Sequence, residues 1–263
     1  MQASIEQELS TLGGHVACVV IRMTDEVPQE LVSINADHVF PAASLAKVPL
    51  LIEVARQVEF GMLCWETRYQ VWEGARVASD GVIADLSADL QPTVQDLAHL
   101  MIAISDNTAS NMLLDIVGMD AVNATMSNLG LTDTRIERRF IDFEARKAGY
   151  DNWTTAADMA LLYSFFFTEL LPGKKKMLKM LLRQNDYTIL PAYWGEKTPF
   201  AHKTGGLAGI IHDAGILYAP THPETPLIIV IMTSEQVDEP LTRYTLARVG
   251  RIIYLGEQSV SPR

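Results

Sequence analysis

Cysteine is almost absent from this chain: Cys18 and Cys64 are the two among 263 residues. No CxxC pair and no Cys/His cluster has the spacing of zinc ligands, so no metal is expected. Cys18 lies in "HVACVVI", which reads as a buried strand, and Cys64 follows a helix in "EFGMLCWE". Both are read as ordinary buried thiols. Basic residues are also few: 21 Lys and Arg against 32 Asp and Glu give a formal net charge of −11. Nucleic-acid backbones and anionic membranes would repel such a chain. No run of about 18 apolar residues exists to span a bilayer. The start, "MQASIEQELSTLGG", reads as a short amphipathic helix ending in glycine; it lacks the basic region, apolar stretch and cleavage site of an export signal. A cytoplasmic protein is therefore expected, or a periplasmic or secreted one if a signal preceded Met1. Internal repeats and low-complexity linkers are absent as well. Apolar residues are plentiful, at 48%, enough for a substantial core in one large domain or two lobes.

Strand-like runs lie at both ends and helical ones between. "HVACVVIRM" and "QELVSINAD" flank "TDEVPQ", a plausible hairpin. From Ser44, "SLAKVPLLIEVARQVEFG" reads as a helix stopped by Gly61, with Pro49 as an interior proline that costs about 3 kcal/mol. "TVQDLAHLMIAIS" carries Thr93 as N-cap with Asp96 three residues on. "NTASNMLLDIVG" and "MDAVNATMSNLG" end at Gly118 and Gly130. "TTAADMALLYSFFFTELL", with a Phe-rich core segment, and "GKKKMLKMLLRQ", with a solvated basic start, complete the helical middle. Strands return in "TPFAHKTGG", "IHDAGILYAP" and "PLIIVIMTS", and "PLTRYTLARVGRIIYLG" is a closing amphipathic helix. The pattern predicts an α+β fold. Residues 1–42 and 189–263 form an antiparallel sheet covered by the terminal helices, and residues 43–188 form an all-α lobe; the two make one structural unit with the site between them.

The stretch "PAASLAKVPLL" sets Ser44 and Lys47 three residues apart. On a helix such residues share a face. A serine hydroxyl needs a base to become a nucleophile, and a lysine with a depressed pKa can be one. Alone the pattern is weak, since S-x-x-K arises by chance about once in a chain this long. Two triplets add to it: Ser105–Asp106–Asn107 between two helices, and Lys203–Thr204–Gly205 on a strand. Each has chance odds of about a few per cent. Acyl transfer needs a nucleophile, a proton route and donors for an oxyanion, and a glycine-flanked strand edge leaves room for substrate.

In order and spacing the three motifs resemble the signature of class A β-lactamases and penicillin-binding proteins. "LAHLMIAISDNTASNMLLDIVG", "TRIERR" and "TTAADMA" are similar to that family too, so the resemblance covers most of the chain. It implies Ser44 as nucleophile, Lys47 as candidate acylation base, Ser105 as proton relay and Asn107 as a hold on Lys47 and the substrate amide. Lys203 would lower the pKa of Lys47 and attract a substrate carboxylate, which Thr204 and Gly205 would help bind. The N–H groups of Ser44 and Gly206 would form the oxyanion hole. The implied partner is a small molecule with a carbonyl and a carboxylate, and no cofactor is implied. His212, in "GIIHDAGIL", is a candidate substrate contact or, with Asp213, a structural polar pair. His202 is expected to face away from Lys203.

The chain departs from the family in one loop. Where the family carries T-R-L-D-R-x-E-x-x-L-N, this sequence reads "TRIERRFIDFE" from Thr134 to Glu144. Phe140 takes the glutamate's position and Glu144 the asparagine's; Phe143 replaces the leucine, and Arg138 is kept. The deacylating base is displaced or lost. The expectation is a serine hydrolase acting on a small amide, ester or β-lactam, weak or atypical as a β-lactamase. An acylated penicillin-binding sensor and a non-catalytic binding descendant are the rivals. Glu144 is a candidate replacement base if one helical turn sets it beside Phe140; otherwise it pairs with Arg138 or Arg139.

Overall fold

Gln2–Leu9 forms helix α1, and His15–Arg22 (β1) and Gln29–Ile34 (β2) follow as an antiparallel hairpin. The computed structural model describes residues 1–79, 81–195 and 198–258. After a two-residue strand, Phe40–Pro41 (β3), a 3-10 turn over Ala43–Ala46 leads into Lys47–Glu59 (α2). Four helices come next: Val94–Ala103 (α3), Asn107–Val117 (α4), Met119–Asn128 (α5) and the short Phe143–Lys147 (α6). Trp153–Thr154 (β4) pairs with β3. Ala156–Ser164 (α7) and Lys174–Leu181 (α8) precede three long strands, Phe200–Leu207 (β5), Ile210–Leu217 (β6) and Leu227–Ser234 (β7), and Glu239–Gln258 (α9) closes the fold.

The long strands form one antiparallel sheet in the order β2-β1-β7-β6-β5. β7 is buried at all eight positions, as a central strand covered on both faces must be. On one face Cys18, Val20, Ile229 and Ile231 pack with Ile5, Leu246 and Val249 of the terminal helices. On the other, Ala17, Val19, Ile228 and Val230 join a core that continues through α2, α3, α4 and α7. The sheet and the helical middle are thus welded by one apolar cluster. Within that middle, α7 lies against the sheet, and the Tyr163 hydroxyl donates to Ala214 O at 2.8 Å.

Several local expectations hold. Thr93 and Asp96 form a reciprocal capping box at α3, which satisfies two donors at the helix start. Gly61, Gly118 and Gly130 adopt positive φ just past their helices, where a Cβ would be strained. Two readings change. Pro49 is the third residue of α2, inside its first turn, where the missing N–H has no α-helical acceptor to lose. Cys64 is exposed and donates to Glu66, whereas Cys18 is buried and its thiol is pushed up to about 12 by burial. Of the Phe-rich segment, Phe166 is core while Phe167 is partly exposed. No described helix is long and apolar enough to cross a membrane.

Candidate active site

Three chain segments converge beside the edge strand β5. Ser44 lies in the 3-10 turn that leads into α2, and Lys47 is the first residue of that helix. The residue before Ser44, Ala43, has φ +47°. Ser105, at the corner between α3 and α4, has φ +59°. Left-handed backbone at a non-glycine residue costs about 1–2 kcal/mol, and here it occurs on both sides of one hydroxyl pair. The corner is held by Asp106, which caps α4 through Ala109 N at 2.8 Å and accepts from Val82 N and Ile83 N at 2.7 and 2.9 Å. Gly81 lies so close to Asp106 that an added Cβ would sit 2.5 Å from its carboxylate.

The result is a continuous chain of polar atoms. Ser105 Oγ donates to Ser44 Oγ at 3.0 Å, and Lys47 Nζ donates to Ser105 Oγ at 2.9 Å. Lys47 also donates to Ser105 O at 2.7 Å and Asn107 Oδ1 at 2.8 Å, and its side chain is fully buried. These acceptors match the three donors of an ammonium group. Asn107 Nδ2 in turn donates to Ser79 Oγ at 2.9 Å.

The third segment is β5. Ala201 packs with the helical core and Phe200 with the α9 side, so by alternation Lys203 faces the helices and His202 faces away. Lys203 is fully buried and donates to Thr204 O at 2.8 Å. His202 pairs instead with Asp213 at 2.7 Å, under the opposite face. Burial raises the Asp213 carboxyl above its ordinary range, and His202 opposes that rise. A cleft of about 200 Å³ lies between the segments, lined by Ser44, Ser105, Thr204, Gly205, Gly206 and Arg243 among others. Nothing stands within 4 Å of where a Gly206 side chain would begin, whereas a Cβ on Gly205 would touch His212 and Ala42 O at 3.3 and 3.4 Å. Glycine at 205 therefore lets the strand approach the Ser44 turn, and glycine at 206 keeps the cleft open.

His212 does not line this cleft. Its Nδ1 accepts from Thr233 N–H at 3.1 Å, so Nε2 carries the proton and donates to Pro41 O at 2.9 Å. Both ring nitrogens are engaged and the side chain is fully buried. Burial pushes this imidazole down to about 4, although the Pro41 bond favours the charged form. His212 ties the sheet to the chain just ahead of Ser44, which makes it a positioning residue.

Comparisons with known proteins identify the family. The sequence model of the β-lactamase enzyme family matches residues 2–255. The chain belongs to the β-lactamase enzyme family. A β-lactamase of Streptomyces lavendulae is 27% identical over 266 residues, covering 93% of this chain and 82% of that one. β-Lactamase L2 of Stenotrophomonas maltophilia is 29% identical over 239 residues, covering 88% and 78%. Among solved structures, a β-lactamase from Sphaerobacter thermophilus superposes with a TM-score of 0.86 at 28% identity, over 99% of this chain and 97% of that one. A point mutant of PBP-A, captured as an acyl-enzyme with penicillin G, superposes with a TM-score of 0.87 at 25% identity, over 98% and 96%.

Against that family background the divergent loop takes a definite shape. Phe140 is buried, its backbone locked to the Asn111 side chain by bonds of 2.9 and 3.1 Å. The Lys47 ammonium lies 5.1 Å from its ring centroid. Ile141 then adopts φ +66°, which breaks any single helical turn from 140 to 144. Glu144 consequently points outward on α6: its side chain is 83% exposed and pairs with Lys147 at 2.7 Å. The structure does not bring Glu144 to Ser44, and neither Arg138 nor Arg139 is its partner; those pair with Asp151 and Asp115. Sequence reading overlooked Arg243, which lines the cleft from α9, 3.1 Å from Thr188 Oγ1 and 3.9 Å from Asp186. No motif marks it, and only the docking of α9 brings its charge to the site.

Proposed function

We infer that this chain is a serine acyl-enzyme hydrolase of the β-lactamase family that acylates readily and deacylates slowly. The observation that carries this reading is the unbroken Ser44–Ser105–Lys47 hydrogen-bond chain with Phe140, in place of a carboxylate, packed against its lysine end. With Lys47 charged, the bonds donate from Lys47 toward Ser44. When Lys47 is neutral, the rotatable hydroxyls let them run the other way. Ser44 then passes its proton to Ser105 as Oγ attacks the substrate carbonyl, and Ser105 passes its own to Lys47. Collapse of the tetrahedral intermediate returns a proton through Ser105 to the leaving nitrogen or oxygen. The N–H groups of Ser44 and Gly206 flank the position where the oxyanion forms. The substrate is a small amide, ester or β-lactam whose carboxylate is drawn toward Thr204, Lys203 and Arg243.

Hydrolysis of the ester needs a water stripped of a proton. A phenyl ring offers no lone pair for that task, and Glu144 faces solvent. The acyl-enzyme should therefore persist. Intact-mass spectrometry after exposure to penicillin G and to activated esters tests this: one adduct per chain is expected, decaying slowly and absent in Ser44→Ala. Equal labelling of Ser44→Ala, or rapid turnover without an accumulating adduct, would overturn the reading.

A further inference from the structure

A second groove, of about 1010 Å³, runs between α3 and α8. That volume is at the top of the range of about 300–1,000 Å³ common for small-molecule sites. Its walls include Leu90, Leu100 and Met180, together with Leu86 and Leu182, which remain 47% and 36% exposed. Its rim carries Arg68, Lys176, Lys179 and Arg183. None of these four forms a salt bridge among the described residues. Arg68 donates to Gln91 O at 2.8 Å, and Lys176 donates to Gln95 Oε1 at 2.6 Å while lying 4.5 Å over the Trp65 ring. These partners hold the cations in place without neutralising them. Asp96, also on the groove, is engaged in the α3 capping box and offsets Arg68 in part, as Glu66 nearby does Lys176. A surplus of positive charge is left around an open apolar trough, on a molecule whose net charge is −11.

We propose that this groove binds a free amphipathic monoanion, a medium- to long-chain carboxylate whose alkyl tail lies along Leu86, Leu100 and Leu182 and whose head meets Lys179 and Arg183. The two halves of such a ligand match the two halves of the trough. Uncovered leucines supply a surface for the tail, and cations without a salt-bridge partner supply the counter-charge for the head. The Ser44 cleft is separate: it is smaller, and it is lined by different residues.

Isothermal titration of the full chain with sodium decanoate, below its micelle concentration, tests the proposal. One saturable site is expected, with affinity that falls as salt is raised. Lengthening the tail to dodecanoate should tighten binding about fourfold per added methylene. Lys179→Glu/Arg183→Glu should weaken it tenfold or more. Leu182→Asp, which alters the wall and leaves every cation, should weaken it as well. Ser44→Ala and Arg243→Ala should bind as the wild type does, which separates this groove from the acylation site and from any failure of the acyl-enzyme reading. The proposal falls if decanoate does not saturate, if decan-1-ol binds equally well, or if the groove variants retain full affinity. It also falls if Arg243→Ala abolishes binding, or if the chain binds phosphatidylglycerol vesicles and not free decanoate.

Discussion

Phe140 sets an aromatic face against the Lys47 ammonium, an attraction of about 0.5–2 kcal/mol that leaves no acceptor for a water proton. Restoring a carboxylate there is the most direct test of why the acyl-enzyme should last. Phe140→Glu is expected to speed decay of the penicillin adduct about 10²-fold, the usual worth of a positioned base, as followed by intact mass. Glu144→Gln should leave both that decay and the unfolding midpoint unchanged, because its carboxylate faces solvent and pairs with the exposed Lys147. Ser105→Ala removes the atom that links Lys47 to Ser44. Its acylation rate, read by stopped-flow with a chromogenic β-lactam, should drop about 10²–10⁴-fold. At this scale Ser44, Lys47 and Ser105 were legible as candidates because their residue types stand in recognisable motifs, and the fold joins their side chains in one hydrogen-bond chain. The outward turn of Glu144 was not, since it depends on the left-handed φ of Ile141, which a β-branched residue rarely adopts.

Elements are held in register by a few buried polar contacts. Glu53 of α2 accepts from Arg56, from Gln57 and, at 2.6 Å, from the Thr125 hydroxyl of α5. Burial would raise this carboxyl, but the bonds from Arg56, Thr125 and Gln57 outweigh it and hold Glu53 below its ordinary value. Thr125→Val removes one of those donors from a buried charge. It should cost about 1.5–3 kcal/mol in urea unfolding while acylation of Ser44 proceeds at the wild-type rate. His212 does the equivalent for the sheet: through Pro41 it fixes the approach to the Ser44 turn. Pro49 shows how an element boundary changes what a residue costs. In the interior of one long helix it would break a rule; with the 3-10 turn ending at Ala46 it belongs to a first turn, where it is tolerated.

For the whole molecule His212 and Glu53 predict acid lability, which the raised carboxyl of Asp213 opposes. His212 titrates near 6.5 when unfolded and near 4 when folded, so between those values the unfolded chain binds more protons. Stability is full above about 6.5 and declines as the pH falls to about 4, by about 3 kcal/mol at about 1.4 kcal/mol per pH unit. Glu53, whose folded pKa is depressed, extends the loss below its unfolded value of 4.5. Urea midpoints measured from pH 7 to 4 should fall across this window, and His212→Gln should flatten the upper part. A slope unchanged in that variant would assign the effect to other groups. The core itself is shared: residues of α7 and the sheet pack in the same cluster as α2 and α4. The terminal sheet and the helical middle therefore share one core.

Read alone, the sequence determined the long helices and strands and marked the candidate residues, but not the short β3, β4 and α6. Apolar periodicity, caps and glycine stops act over a few residues, and motifs keep their meaning wherever they occur. It could not determine which side chains meet across 72 to 171 residues of chain, as Glu53 meets Thr125 and His212 meets Pro41. Those contacts depend on how the elements dock around one core. Docking is decided by the summed burial of many surfaces, so Arg243 enters the cleft and Glu144 leaves it although nothing local to either residue says so.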